Sequence, residues 1–345
     1  LGTYAMNLNT SDGSFGTMDW GNSSSAFGRD SSPGTNTDGS VIYTADVWHS
    51  ETQSGIPYLT VIDAETGETL QAIQRDGWTY SSSVFLPDYR TNSVRDGTVF
   101  IGGAKPDFDD SIGIWDGNGG TGVIRAYHAN SDGLLDETPV WEFVDLEAPI
   151  NRGPSVVQSP FGTLILFGNG AGSLRAANPE TGEIVWEVHT GSVGFGTIVS
   201  SNDGRTVYML TGQAETSITV EEPHLSQLLA INSINGEIEW TVDAPNNGAT
   251  PVVGENDIGE NLIYVVGDEE IIAVDERGLQ IWDYDLTDTP YYGYGAHITD
   301  SDLLDSGLLV FAAGTKIFAL ETGAQASSSH WGSYRGDLQN TGVFR

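Results

Sequence analysis

The sequence predicts an all-β propeller of four-stranded antiparallel blades, with seven blades favoured over six or eight. Three observations predict it. A phrase of about a dozen residues recurs along the chain about every 52 residues, the length of a four-stranded blade. Gly supplies 44 of the 345 residues and Trp nine, a mix that suits tight turns and large side chains filling layers between sheets. No stretch of about 15 residues carries 3.6-periodic apolar positions free of Gly and Pro, so long helices are not expected.

The phrase is sharpest in three copies. Residues 174–186 read Leu-Arg-Ala-Ala-Asn-Pro-Glu-Thr-Gly-Glu-Ile-Val-Trp, and residues 228–240 read Leu-Leu-Ala-Ile-Asn-Ser-Ile-Asn-Gly-Glu-Ile-Glu-Trp. Residues 271–282 repeat it one residue shorter, ending on Trp282. Looser copies follow the same grammar. Leu59 to Leu70 keeps Asp63 and Thr66-Gly67 but has Gln71 where Trp is expected. Ile124 to Trp141 turns through Asn130-Ser131-Asp132-Gly133. Tyr4 to Trp20 carries Asp12-Gly13, and Ile317 to Gly323 breaks off after Thr322-Gly323. The turn glycines are therefore Gly13, Gly67, Gly133, Gly182, Gly236, Gly278 and Gly323.

Each part of the phrase has a physical role. An apolar strand leads in, and Asp or Asn at its end can bond the backbone of its own turn. The glycine accepts positive φ at no steric cost, which closes the hairpin. The following strand carries Trp, whose ring is expected to be buried against the next blade. Thr163–Gly168, Thr206–Thr211, Asn261–Gly267 and Leu308–Ala313 supply further strands, about four per unit. No linker divides the chain, so residues 1–345 form one domain, with 324–345 as a closing segment for a unit that starts or stops short.

Charge and composition exclude several function classes. Asp and Glu number 48 against 13 Lys and Arg, a formal charge of −35. Such a surface repels nucleic acid and anionic membrane. The absence of Cys removes disulfides, thiolate metal sites and Cys nucleophiles together. No run of 18 apolar residues exists, so no membrane span is expected. The opening Leu1-Gly2-Thr3-Tyr4, without an initiator Met, fits a chain from which a signal peptide was removed or trimmed.

The Ala-x-Asx-x-x-Thr-Gly-x-x-x-Trp grammar resembles the tryptophan-docking repeat of the pyrroloquinoline-quinone-like β-propellers. The tail His330-Trp331-Gly332-Ser333-Tyr334-Arg335-Gly336-Asp337 and onward to Gly342 is similar to a segment common in bacterial exported members. The resemblance spans nearly the whole chain, sharply at 173–188, 227–242 and 270–284, weakly before residue 120. It implies the fold and an exported protein, extracellular or at the cell surface, with the periplasm as the other compartment. It does not by itself imply a function, because one scaffold hosts many. The dehydrogenases of the superfamily use a bound quinone, calcium and a catalytic Asp, often over a vicinal Cys pair that this chain lacks. No quinone and no catalytic residue are therefore expected.

Other chemistries leave no pattern. The six His show no i, i+4 pair and no H-E-x-x-H, and Gly-x-Ser-x-Gly is absent. Closely spaced oxygen ligands with a bending Gly point to calcium in two loops. One holds Asp107, Asp109 and Asp110 just before Asp116 and Asn118. The other holds Asn130, Asp132 and Asp136, with His128 in the first ligand slot. Exposed Trp48, Trp78, Trp115, Tyr291, Tyr292 and Tyr294 would suit sugar stacking. The expected role is a non-catalytic extracellular binding or scaffold module for a protein or glycan. The alternative is a structural subunit that assembles with copies of itself by strand exchange, and quinone-dependent oxidation stands third.

Overall fold

A computed structural model describes residues 3–6, 18–22, 33–45, 58–76, 82–88, 95–105, 120–190, 197–211, 226–245, 250–267, 270–286, 307–313 and 316–326. Among them every regular element is a strand, as an all-β chain requires. β1 (Thr3–Met6) and β2 (Met18–Asn22) form a two-stranded sheet. Five complete four-stranded antiparallel sheets follow. Blade I is β3 (Gly34–Thr35), β4 (Val41–Ala45), β5 (Tyr58–Asp63) and β6 (Thr69–Gln74). Blade II is β7 (Val84–Pro87), β8 (Arg95–Ala104), β9 (Gly122–Asn130) and β10 (Trp141–Asp145). Blade III is β11 (Ile150–Ser159), β12 (Gly162–Asn169), β13 (Ser173–Ala177) and β14 (Ile184–His189). Blade IV is β15 (Val199–Ser200), β16 (Thr206–Thr211), β17 (Ser226–Asn232) and β18 (Ile238–Ala244). Blade V is β19 (Val252–Glu255), β20 (Asn261–Val266), β21 (Glu270–Asp275) and β22 (Gln280–Asp285).

Beyond blade V, β23 (Leu308–Ala313) pairs with β24 (Lys316–Glu321). β25 (Gln325–Ala326) then adds a fifth strand to blade V beside β19, with Gly254 opposite Ala326. The start of the expected closing segment thus pairs within the chain, and residues 327–345 lie outside the described residues. So do Gly13 and its turn.

The strands in each complete blade run in sequence order, and the first strands β3, β7, β11, β15 and β19 touch one another in succession. First strands are mainly buried and fourth strands mainly exposed, which sets the sheets side by side about an inner edge. The core is accordingly a series of layers between blades. Val41, Tyr43 and Leu59 of blade I meet Phe85, Val99 and Tyr127 of blade II. Phe100 and Ile124 meet Ile165 and Phe167 across the next layer. Leu166 and Trp186 meet Val207 and Leu229, and Tyr208 and Leu228 meet Ile263 and Ile272. Blade V packs on Leu309 and Phe311.

The recurring phrase works as a dock between neighbours. Each turn glycine from Gly67 to Gly323 has a φ between 72° and 82°. Four Trp side chains from the preceding sheet lie flat on the next glycine. A Cβ on Gly67, Gly182, Gly236 or Gly278 would fall 2.5, 2.7, 2.7 and 2.8 Å from the rings of Trp20, Trp141, Trp186 and Trp240. Each indole Nε1 also donates to a carbonyl of that turn: Trp20 to Ala64 at 3.0 Å, Trp141 to Pro179 at 2.9 Å, Trp186 to Ser233 at 2.8 Å and Trp240 to Glu276 at 3.0 Å. Glycine is therefore required twice, for its backbone angle and for its bare Cα. The turn is pinned from within as well. Asp63 Oδ1 accepts from the Glu65 and Thr66 N–H groups, Asn178 Oδ1 from Glu180 and Thr181, and Asp275 Oδ1 from Arg277 and Leu279.

Where Trp is replaced by Gln71, the dock survives in another form. The Gln71 amide donates to the Leu135 carbonyl and accepts from the Leu135 N–H, both at 2.8 Å. Tyr43 donates its hydroxyl to the Gly133 carbonyl at 3.0 Å, and Val41 covers the Gly133 Cα. The expectation that all three repeat tryptophans are largely buried between blades is met to different depths. Trp186 is 6% exposed, but Trp240 and Trp282 are only half-buried. All three sit on fourth strands, and the indole needs just one face and its N–H covered to dock.

Trp186→Ala is expected to cost roughly 3–5 kcal/mol in urea unfolding, as a large-to-small core change, and Trp240→Ala clearly less. Gly236→Ala should destabilise by breaking the same dock. The Trp186→Ala/Gly236→Ala pair should then cost less than the sum of the two. Additive losses would show that ring and glycine do not act as one contact.

Candidate functional site

In a meander of four strands, the first-to-second and third-to-fourth turns lie at the same end of each blade. On this turn-bearing face a groove of about 150 Å³ opens at the junction of blades III and IV. Phe161 stands on the β11–β12 hairpin, 82% exposed, with Leu164 at the base. Val185 enters from β14, where one extra residue bulges between Trp186 opposite Ala176 and Ile184 opposite Ala177. That bulge leaves Val185 52% exposed. Ile234 comes from the β17–β18 turn on which Trp186 is docked.

The hydroxyls of the groove are already engaged. Ser159 Oγ donates to the Gly162 carbonyl, Thr163 Oγ1 to Gln158, and Ser233 Oγ to the Gly204 carbonyl. Exposed Glu180 and Glu183 lie along the chain between Asn178 and Val185, and exposed Glu237 follows Ile234. Phe161, Leu164, Val185 and Ile234 thus share the groove with Ser159, Thr163, Asn178 and Ser233, and exposed glutamates stand in the segments that carry it.

A second feature was not read from the sequence. Arg125 and Arg175 occupy equivalent positions on the third strands of blades II and III, each one residue before the Ala that faces the docking Trp. Both are nearly buried. Each pairs with the Glu directly opposite on its fourth strand, Arg125 with Glu142 at 2.6 Å and Arg175 with Glu187 at 2.9 Å. Each also takes a carboxylate from the end of the preceding blade, Asp76 for Arg125 and Asp145 for Arg175, the latter at 2.5 Å. Lys105 completes the first network through Glu142 at 2.7 Å. Asn169 and the Phe143 ring complete the second, with the guanidinium 5.3 Å from the ring centroid. The signal available in the sequence was a lone Arg inside each of two otherwise apolar strands, which a buried strand tolerates only with a partner.

These carboxyls feel both terms. Burial pushes Asp76 and Glu142 up, while Arg125 and Lys105 pull them further down, and the net is below the ordinary carboxylate range. Hydrogen bonds from Ser173 and Asn169, with Arg175, hold Glu147 low. On the opposite side, burial raises the Asp96 carboxyl, and nearby Asp38 adds to the rise.

Of the residues read as calcium ligands, Asp107, Asp109, Asp110, Asp116 and Asn118 lie outside the described residues. Asn130, Asp132 and Asp136 are in the Gly133 hairpin. Asp132 Oδ1 accepts from the Leu134 N–H at 3.1 Å, and the Asp136 N–H donates to the His128 carbonyl at 2.9 Å. Among the described residues, no three His, Cys, Asp or Glu side chains converge to hold a metal ion. Trp48, Trp78, Trp115, Tyr291, Tyr292 and Tyr294 also lie outside the described residues. No described helix is long and apolar enough to cross a membrane.

Residues 170–336 match the family model described as outer membrane protein assembly factor BamB. No curated protein matches the chain. Among solved structures, it is similar to the quinohemoprotein alcohol dehydrogenase ADHIIG of Pseudomonas putida HK5, with 10% identity and a TM-score of 0.55 over 89% of this chain and 58% of that one. It is similar to hydrazine synthase of Kuenenia stuttgartiensis, with 12% identity and a TM-score of 0.50 over 85% and 83%. It is also similar to the C-terminal WD40 domain of Sif2, with 14% identity and a TM-score of 0.51 over 88% and 71%. Likeness at these identities speaks for the fold alone.

The ion-pair networks make stability depend on pH. A carboxyl held low in the folded state contributes stability above the unfolded carboxylate range, near pH 4, and loses it as pH falls through the folded value. Glu142→Gln should therefore lower the urea midpoint at about pH 7 and make little difference near pH 3. An equal penalty at both values would show that Glu142 acts through packing rather than charge.

Proposed function

We propose that this all-β chain, whose residues 170–336 match the model of a propeller-type assembly factor, is a non-catalytic exported scaffold of the pyrroloquinoline-quinone-like superfamily that binds protein. The observation that carries this reading is the match of residues 170–336 to the model of an assembly factor. That span contains blades IV and V and the last two strands of blade III, and so Val185 and Ile234 of the groove, while Phe161 and Leu164 lie before it. Two further observations support it. At about 150 Å³ the groove is well below the roughly 300–1,000 Å³ of small-molecule and cofactor sites. Half of its lining residues are apolar and its hydroxyls are already engaged, which suits a protein side chain better than the hydroxyl-covered surface of a sugar.

The dehydrogenase alternative has less support. The chain lacks the Cys pair that many such enzymes place under the quinone. We place the protein in the periplasm, at the cell surface or outside the cell. Calcium in the loops around Asp107–Asp110 and Asp116–Asn118 remains part of this reading, as a structural ion.

Two measurements test it. Cross-linking the tagged protein in its native exported fraction should capture a defined protein partner in stoichiometric amount. Dye-linked oxidation of alcohols by the purified chain supplied with pyrroloquinoline quinone and calcium should stay at background, and turnover there would replace the scaffold reading with an enzymatic one. For the metal, a chelator should lower the melting temperature and calcium should restore it. An ion held a hundredfold above its Kd adds about 2.7 kcal/mol. An unchanged melting curve would remove calcium from the account.

A further inference from the structure

We propose that the groove between blades III and IV takes one large apolar side chain from an extended, basic segment of a partner protein. This rests on the scaffold reading and names the surface and the chemistry it recognises. The apolar half of the argument comes from the lining. Ser159, Thr163 and Ser233 engage their hydroxyls within the chain, and Phe161, Leu164, Val185 and Ile234 supply the apolar half of a lining that also includes Asn178. Phe161 at 82% and Val185 at 52% exposure are the apolar area that contact would remove from water. A volume of about 150 Å³ is of the order of a single residue, not a helix or a cofactor.

The basic half comes from charge. Glu180, Glu183 and Glu237 are exposed in the segments that carry Val185 and Ile234. Neither Lys nor Arg lines the groove, and Arg205 of the blade IV hairpin is paired with Asp203 at 3.3 Å. The formal charge of −35 disfavours a second copy of this chain as the occupant, since it would bring the same carboxylates. Flanking Lys or Arg on the partner would complement those glutamates and speed encounter, and the apolar anchor would supply selectivity.

The test uses the whole chain and fluorescein-labelled heptapeptides followed by anisotropy. The probes are Gly-Lys-Lys-Leu-Lys-Lys-Gly, the same peptide with Ala at the centre, and Gly-Glu-Glu-Leu-Glu-Glu-Gly. The leucine peptide should bind about tenfold more tightly than the alanine peptide, the ratio expected for burying the larger side chain. The glutamate peptide should not bind. Phe161→Ser and Val185→Ser leave the charge unchanged and alter exposed positions. Each should abolish the preference for leucine while leaving the weaker, salt-sensitive binding of the alanine peptide in place. Equal affinity of leucine and alanine peptides, or a preference that persists in both variants, overturns the proposal. Circular dichroism melts of the variants exclude loss of fold as the cause. The two readings fail separately. If the native partner is captured equally by wild type and Phe161→Ser, the groove is wrong and the scaffold stands. If the peptide preference holds but the native exported fraction yields no partner, the scaffold reading falls.

Discussion

Everything in this molecule hangs on an indole laid on a glycine. A propeller blade cannot bury both faces alone, so its stability comes from layers shared with neighbours. The Trp-on-Gly contact aligns those layers. The ring closes over a Cα that no other residue could leave bare, and its N–H anchors a turn carbonyl two or three residues before that glycine. One contact therefore ties the hairpin of one blade to the outer strand of the one before. The shortened copy at 271–282 shows how the constraint is distributed. With one residue fewer in the turn, Trp240 bonds the carbonyl of Glu276, two residues before Gly278, rather than three before as elsewhere. The ring keeps its place on the glycine, so the turn adjusts to the dock.

The blade I/II junction shows the constraint met with different atoms. Gln71 has no ring to lay on Gly133, and Val41 fills that space instead. Two amide hydrogen bonds to Leu135 replace the single indole bond, and the Tyr43–Phe85 stack, with centroids 5.8 Å apart, restores aromatic area to the layer. This junction and the next are also the ones crossed by Arg125 and Arg175. Further along, the equivalent third-strand positions hold Leu229 and Ile272, and the layers there are apolar. Partnered buried ions are weak evidence for stability, but removing one partner is costly. In a chain this short of cations, placing Arg inside two junctions leaves the surface more uniformly negative.

The blades were legible because their signal is local. An Asx, a Gly and a Trp at fixed spacing specify a turn and a dock, and the structure puts six of the seven turn glycines at positive φ as the phrase requires. The depth of each Trp was not legible, because burial depends on how far the neighbouring outer strand extends. Gln71 could be seen as an exception but not as a substitute, since its partner Leu135 is 64 residues away. The Arg networks join carboxylates from two blades, and a sequence this rich in Asp and Glu offers no way to single out Asp76 or Asp145. The groove was hidden for a similar reason. Phe161, Val185 and Ile234 belong to three different turns or strands, and only the dock at Trp186 brings the last beside the others.

The outer strands bear on how such a scaffold can be used. Each fourth strand ends its sheet, an edge that could pair with another chain. Yet β6, β14, β18 and β22 all carry a bulge immediately before the docking residue, and Glu183, Glu187, Glu237, Glu239, Asp283 and Asp285 stand exposed on or beside three of them. Bulges and charge are the devices by which native sheets keep edges from pairing. At β14 and β18 the bulge lies immediately before the docked Trp, whereas β10 lays Trp141 on Gly182 without one. At those two strands the edge is blunted right beside the dock. An occupant held by backbone pairing would have to undo that geometry at four of the five complete blades. An occupant that inserts a side chain on the turn-bearing face leaves it intact, and at β14 the same bulge turns Val185 outward to receive it.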